Sequence, residues 1–201
     1  MTLPALLLLA AFVVAAASLA HARFGIGSVR TSLFAPPREP AGPAVRYAFT
    51  TAFLPWVKES ASGHPASYLA GIVYHAGIFA MLACLALSLT TLQAPPLLAN
   101  ALAVLWGVAL AAGLGLLVKR LADAALRAIS VPDDFVANLL VDTALAAALA
   151  AALVPSAHNV FQLTGAALLL YAPLGKLRHM LFLLTSRRLW GVYYGRRGVL
   201  P

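Results

Sequence analysis

The sequence predicts an all-α integral membrane protein, a bundle of five transmembrane helices with its N-terminus outside and its C-terminus in the cytoplasm. Three observations indicate this fold class. The 201 residues are 62% hydrophobic and only 10% charged, a composition that would leave a soluble domain with a largely apolar surface. Five apolar runs are each close to the ~20 residues that span a bilayer as a helix. All fourteen Lys and Arg residues fall in alternate connections between these runs or in the last run and the tail that follows it.

The spans are assigned as helices because backbone groups in lipid must be satisfied within the segment. The runs also lack the alternating polarity of barrel strands. We expect a single membrane domain over residues 1–201, with a kink at Pro173 in the last span. The predicted spans are about 3–20, 68–92, 98–118, 135–154 and 160–184.

The first span has an alternative interpretation as a signal peptide, because Ala20-His21-Ala22 is similar to a signal-peptidase site. A signal peptide begins with positive charge, whereas Met1–Pro4 carries none and Arg23 follows the apolar run. This order favours an uncleaved helix. Cleavage would leave four spans in the same orientation.

Positive charge predicts the orientation. Of the fourteen Lys and Arg residues, five lie in loop 21–67, three in loop 119–134 and six in the last span and the tail 187–201. The positive-inside rule places these segments in the cytoplasm, as in a multi-pass protein of the bacterial cytoplasmic (inner) membrane. Membrane lipid therefore accounts for the net charge of +8, and no nucleic-acid partner is expected.

Two cytoplasmic segments mix aromatic with basic residues. Val45–Lys58 is interpreted as a short helix at the interface or, equally, as a loop packed on the helix ends. The tail Leu189–Pro201 would be an interfacial anchor or a docking surface for a cytoplasmic subunit. A single cysteine, Cys84, excludes a disulfide framework or zinc cluster within the chain.

Two histidines, His75 and His179, lie inside predicted spans, and ionisable residues at membrane depth are functional candidates. His75 lies about seven residues after Tyr68 and His179 about eight residues before Arg187, so both imidazoles lie ~10–12 Å below the cytoplasmic interface. Two imidazoles at equal depth suit bis-histidine ligation of a haem b iron. The alternative is that each imidazole hydrogen-bonds to a neighbouring helix without metal.

The neighbours of the two histidines favour the haem interpretation. Gly71 and Gly175 stand four residues before His75 and His179, a spacing that shares a helix face and leaves room for a porphyrin. Arg178, and Lys176 beside it, would pair with haem propionates or extend to lipid headgroups.

Asp142 is the only acid well inside a predicted span. It is a candidate proton acceptor beside a quinol, since quinol oxidation releases protons. The alternatives are a structural hydrogen bond or an ion pair with Arg178 or Lys119.

Two short stretches resemble a known family. Tyr74–Ile78 is similar to the His-x-Gly-Ile stretch of the gamma subunit of respiratory nitrate reductase. Pro173–His179 is similar to that family's Pro-Phe-Ser-Arg/Lys-Leu-x-His stretch. Five helices, an outside N-terminus and a basic cytoplasmic tail also resemble that family.

The resemblance implies a membrane cytochrome b, an electron-transport subunit that passes electrons between quinone and a peripheral iron–sulfur subunit of an oxidoreductase. The family's second haem-ligand pair corresponds to Leu85 and Phe161, which cannot bind iron. The chain therefore resembles a one-haem relative, with a heterodisulfide-reductase-like or similar iron–sulfur partner in the cytoplasm and substrate chemistry on another subunit. The alternative is a haem-free membrane anchor or assembly subunit.

Overall fold

The structure is a computed structural model that describes residues 2–25, 40–57, 59–90, 92 and 94–200. Across these ranges it contains helices and turns and no strand, which confirms the all-α class. Within loop 21–67, residues 26–39, which include Arg30, Arg38, Pro36 and Pro37, and the separate residue Lys58 lie outside the described residues. The α-helices are α1 (Leu3–Gly25), α2 (Gly42–Phe49), α3 (Glu59–Ser62), α4 (Pro65–Leu87), α5 (Pro96–Ala122), α6 (Ala124–Ala128), α7 (Pro132–Leu153), α8 (His158–Tyr171) and α9 (His179–Gly195).

Among the described residues, four helices are long and apolar enough to cross a membrane: Leu3–Ala22 within α1, and the whole of α4, α5 and α7. Proline opens α4, α5 and α7, a position where its missing N–H costs no helical hydrogen bond. The transmembrane helical character predicted from the sequence is confirmed. A fifth crossing and the orientation stay predictions.

The segment predicted as a continuous fifth span, 160–184, is divided between two helices. The first, α8, has 14 residues, which is about 21 Å of helix. Pro173 cannot continue the hydrogen-bond ladder, and the N–H groups of Leu174 and Gly175 both donate to the carbonyl of Tyr171, at 2.9 and 3.1 Å. The expected kink at Pro173 is therefore a complete break, and α9 begins only at His179.

The described chain forms two compact units. Unit 1 comprises Met1–Ser18 and Leu69–Leu177, and unit 2 comprises Leu19–Tyr68 and Arg178–Pro201. The single membrane domain expected over residues 1–201 stays a prediction.

In unit 1, α7 packs on both α5 and α8. Small residues let the helices approach closely: a side chain on Gly77 of α4 would meet Ala109 of α5, and one on Gly165 of α8 would meet Leu85 of α4. Small residues at such contacts are characteristic of helix packing in membranes. The largest fully buried side chains are Leu8, Met81, Leu85 and Leu145.

In unit 2, α2 packs on α9. Gly191 and Gly195 are one turn apart on α9, and a Cβ added at Gly191 would lie 2.7 Å from the Cα of Val45. A short helix thus occurs in the region where a helix or a loop was expected, although α2 ends at Phe49 and 3-10 turns follow. Its position at a membrane interface stays a prediction.

Arginines and aromatic rings lie together in unit 2. The guanidinium of Arg187 lies 4.3 Å from the centroid of the Phe53 ring, and that of Arg197 lies 3.6 Å from the centroid of Tyr193. Tyr47 stacks on Trp190 with 6.3 Å between ring centroids. Part of the predicted tail therefore packs as a helix against α2, and cation–π contacts add to this packing.

Candidate functional site

His75 lies on an exposed face of α4. Its Nδ1 is 2.7 Å from the carbonyl oxygen of Gly71, one turn earlier. A carbonyl oxygen only accepts hydrogen bonds, so Nδ1 carries the hydrogen and the lone pair of the neutral ring is on Nε2. This tautomer is the one in which Nε2 can ligate a metal while the second ring nitrogen is held by the backbone.

The helix surface at Gly71 is open. A Cβ added there would meet no heavy atom within 4 Å. The surface of α4 beside His75 is therefore open at Gly71, and its use by a porphyrin stays a prediction.

The corresponding expectation for Gly175 is wrong. Gly175 lies in the turn after α8, and a Cβ there would overlap the ring of Tyr171. A glycine and a histidine four residues apart share a face only within one α-helix, and α9 begins at His179. The space beside Gly175 is filled by Tyr171.

His179 is exposed at the first position of α9. The depth expected for its imidazole was counted back from Arg187, and α9 is continuous between these two residues. That depth stays a prediction. The role of His179 as an iron ligand stays a prediction. Arg178 is also exposed, and its pairing with a haem propionate stays a prediction too.

Lys176 binds two neighbouring acids. Its backbone N–H donates to Asp133 Oδ2 at 2.7 Å, and its Nζ donates to Asp134 Oδ1 at 2.5 Å. The expectation that Lys176 pairs with a propionate or a lipid headgroup is therefore replaced by an ion pair within unit 1.

Lys176 belongs to a polar cluster that joins the end of α5, the start of α7 and the end of α8. Tyr171 donates a hydrogen bond to the Asp133 carboxylate. Arg120 Nη1 lies 3.7 Å from Asp134 Oδ2 and donates to Ser130 Oγ at 2.9 Å. We call this the basic-end cluster, consisting of Arg120, Ser130, Asp133, Asp134, Tyr171 and Lys176. The sequence analysis missed it, although two acids at a helix start, where the dipole favours them, were a usable signal.

Asp142 is buried in α7, with 4% of its surface exposed. Tyr74 on α4 donates its hydroxyl hydrogen to Asp142 Oδ1 at 2.8 Å, and Asn138 donates from Nδ2 to Oδ2 at 2.7 Å. Asn138 Nδ2 also lies 3.4 Å from the Tyr74 oxygen. Of the alternatives considered for Asp142, the structural hydrogen bond is the one that the structure contains.

Gly113 of α5 makes room for this network. A Cβ at Gly113 would overlap both Asp142 Oδ1 and the ring of Tyr74. The backbone of α5 therefore lies directly against the carboxyl group, and α4, α5 and α7 meet at one polar point. The sequence analysis did not single out Tyr74, Asn138 or Gly113 for this role.

The positions that correspond to the family's second ligand pair are filled by apolar packing. Leu85 is fully buried and Phe161 is 4% exposed. Phe161 packs on Trp106 with 6.5 Å between ring centroids. The neighbouring Gln162 is 2% exposed and donates from Nε2 to the carbonyl oxygen of Ser88 at 3.2 Å. These contacts hold α4, α5 and α8 together at the end of unit 1 opposite to the basic-end cluster.

Within the ranges that the structure describes, no three His, Cys, Asp or Glu side chains are grouped to hold a metal ion. A two-imidazole site is a different arrangement. Comparison of the chain with protein-family models, with curated proteins and with solved structures found no match.

Proposed function

We propose that this protein is a haem b subunit in the inner membrane of a bacterium. In this proposal it relays electrons between quinone and a cytoplasmic iron–sulfur subunit of a respiratory oxidoreductase. The observation that carries the proposal is the His75 imidazole, whose Nδ1–H is held by Gly71 in an otherwise apolar helix. Its Nε2 lone pair and the open surface at Gly71 suit an axial ligand.

His75 and His179 would hold the iron, and Gly71 would admit the porphyrin edge. Haem b, when bound, supplies a one-electron carrier whose potential is tuned by its axial ligands and by burial. The chain's own contribution is to fix the tautomer of His75 and to surround it with apolar helix. The filled space at Gly175 gives that residue no part in the proposal.

Charge supports a cytoplasmic protein partner. Unit 2 carries seven arginines among its described residues, Arg23, Arg46, Arg178, Arg187, Arg188, Arg196 and Arg197. In loop 119–134 the cations are partly used within the chain, because Arg127 donates to the carbonyls of Leu121 and Ala122 at the end of α5, at 2.5 and 3.0 Å. We therefore assign the docking surface chiefly to unit 2, where it would attract an acidic partner.

The test is haem content. The protein is purified from membranes, and the spectrum of the dithionite-reduced form is compared with that of the oxidised form. We expect a b-type α band in the wild type and its loss in His75→Ala and His179→Ala. His64→Ala is the matched control, because His64 is exposed and precedes α4. A wild-type protein without the band, or unchanged haem in both variants, contradicts the proposal.

A haem-free anchor or assembly subunit is the second candidate. The observation that favours it is Tyr171, which fills the space at Gly175 and binds Asp133. This candidate predicts that a protein with both His75 and His179 replaced by alanine folds normally and still co-purifies with its partner subunit. If the double variant no longer co-purifies with the partner subunit, the anchor hypothesis is contradicted.

A further inference from the structure

The carboxyl group of Asp142 is bound by Tyr74 and Asn138, neither of which carries positive charge. We propose that these three residues form a proton-binding site inside unit 1, in which Asp142 carries one proton at neutral pH. This site differs from the proton acceptor considered from the sequence, because a carboxyl group that already holds a proton must release it before it can accept another.

The surroundings of Asp142 offer few ionisable groups. From α4 the group that faces Asp142 is Tyr74, and the adjacent His75 is on an exposed face. The segment 98–118 of α5, which presents Gly113, contains no ionisable residue. On α8, none occurs between His158 and Tyr171, and α1 has none before His21.

On α7 itself, the other acids are Asp133 and Asp134, eight or nine residues earlier and hence about 12 Å along the helix. They are negative, and they bind Lys176 and Arg120 in the basic-end cluster. Among the residues that the structure describes, the groups seen to bind the Asp142 carboxyl are the neutral Tyr74 and Asn138. An ionised Asp142 would therefore be a buried charge bound by neutral groups in a helix of the membrane-spanning type. A charge at that depth is costly unless it is paired or neutralised, and a proton neutralises it.

The hydrogen-bond geometry accommodates the neutral acid. Tyr74 donates to Oδ1. A protonated Oδ2 would donate to the Asn138 side chain after the amide rotates by half a turn, which brings its oxygen to the place of its nitrogen. Both oxygens of Asp142 then keep a partner 2.7 or 2.8 Å away, and no helix has to move. The rotation exchanges the longer 3.4 Å contact from Asn138 Nδ2 to Tyr74 for the bond from the protonated carboxyl.

Infrared spectroscopy of the purified protein at pH 7 tests the proposal. A protonated carboxyl group gives a C=O stretching band that shifts downward in D₂O, whereas a carboxylate gives none. We expect this band in the wild type and its loss in Asp142→Asn. Asp123→Asn is the control, because Asp123 is exposed and caps α6. This control should lose carboxylate absorption instead.

Tyr74→Phe provides a second measurement that does not depend on the folding of Asp142→Asn. Removing the hydroxyl donor should keep the band and move it to higher frequency, because a C=O group without a hydrogen bond stretches at higher frequency. A wild-type protein without the acid band at pH 7 overturns the proposal. So does a band that disappears when sodium chloride replaces choline chloride, since that result identifies a cation site. The protein is measured as purified, and the band is assigned by its loss in Asp142→Asn, so the result is independent of the proposed function.

Discussion

Gly113 lies where the backbone of α5 meets the buried pair of Tyr74 and Asp142, and its replacement by alanine is our most specific prediction. The added Cβ would overlap the Asp142 carboxyl oxygen and the Tyr74 ring. Flexible side-chain ends can often move aside at small cost. Here the two side chains are hydrogen-bonded to each other and buried, so moving either of them breaks the network.

The expected cost follows from these contacts. Forcing a methyl group into a packed site costs about 1–3 kcal/mol. Each interhelical hydrogen bond lost in a membrane protein adds about 0.6 kcal/mol. For Gly113→Ala we therefore expect a loss of about 2–4 kcal/mol in the free energy of unfolding.

The matched control is Gly115→Ala, two residues later in the same helix, where an added Cβ meets nothing within 4 Å. In an open helical position, alanine is favoured over glycine by about 0.5–1 kcal/mol. Unfolding of the detergent-solubilised protein, by heat or by denaturant, would compare both variants with the wild type. Equal stabilities for Gly113→Ala and Gly115→Ala would refute the steric argument.

Three further predictions concern other contacts. Gly71→Ala should change the free energy of unfolding by no more than about 1 kcal/mol. It should lower the haem content of the purified protein, measured spectroscopically, because the new methyl group fills the open surface at Gly71. Gly191→Ala should lower the melting temperature of the protein, since the new Cβ would press on the Val45 backbone; Gly42→Ala, in open space, should not. Asp133→Ala should cost about 1–3 kcal/mol by chemical denaturation, because Tyr171 loses its acceptor; Tyr171→Phe should cost less. Unchanged haem content in Gly71→Ala would contradict the first expectation, and an unchanged melting temperature in Gly191→Ala the second. The third would be contradicted if Tyr171→Phe cost more stability than Asp133→Ala.

Much of the fold could be predicted because membrane helices are encoded locally. A continuous apolar run of about 20 residues identifies a span wherever it occurs, and four of the predicted spans correspond to helices that the structure contains. Their ends differ from the prediction by several residues. For example, α4 begins at Pro65 and ends at Leu87, because proline and turn geometry set a helix end more sharply than hydropathy does.

The segment 160–184 shows where local reasoning failed. Its composition is apolar, so hydropathy predicts a span, and Pro173 indicates only that the helix is perturbed. The outcome, a helix that ends at Tyr171, depends on distant partners: Asp133 accepts hydrogen bonds from Tyr171 and from the N–H of Lys176. Those partners hold the turn after α8, where Tyr171 fills the space expected beside Gly175.

By itself, the sequence determined that the chain has helices of the membrane-spanning type. It also determined that His75 and Asp142 are isolated ionisable residues within them. Both features can be recognised from a short stretch of neighbouring residues. Only the tertiary structure decided the partners. Tyr74 and Asp142 are separated by 68 positions, and Gly113 belongs to a third helix. No local sequence pattern encodes the contact among these three residues. It depends on how α4, α5 and α7 pack and on the space that Gly113 leaves for the side chains of Tyr74 and Asp142.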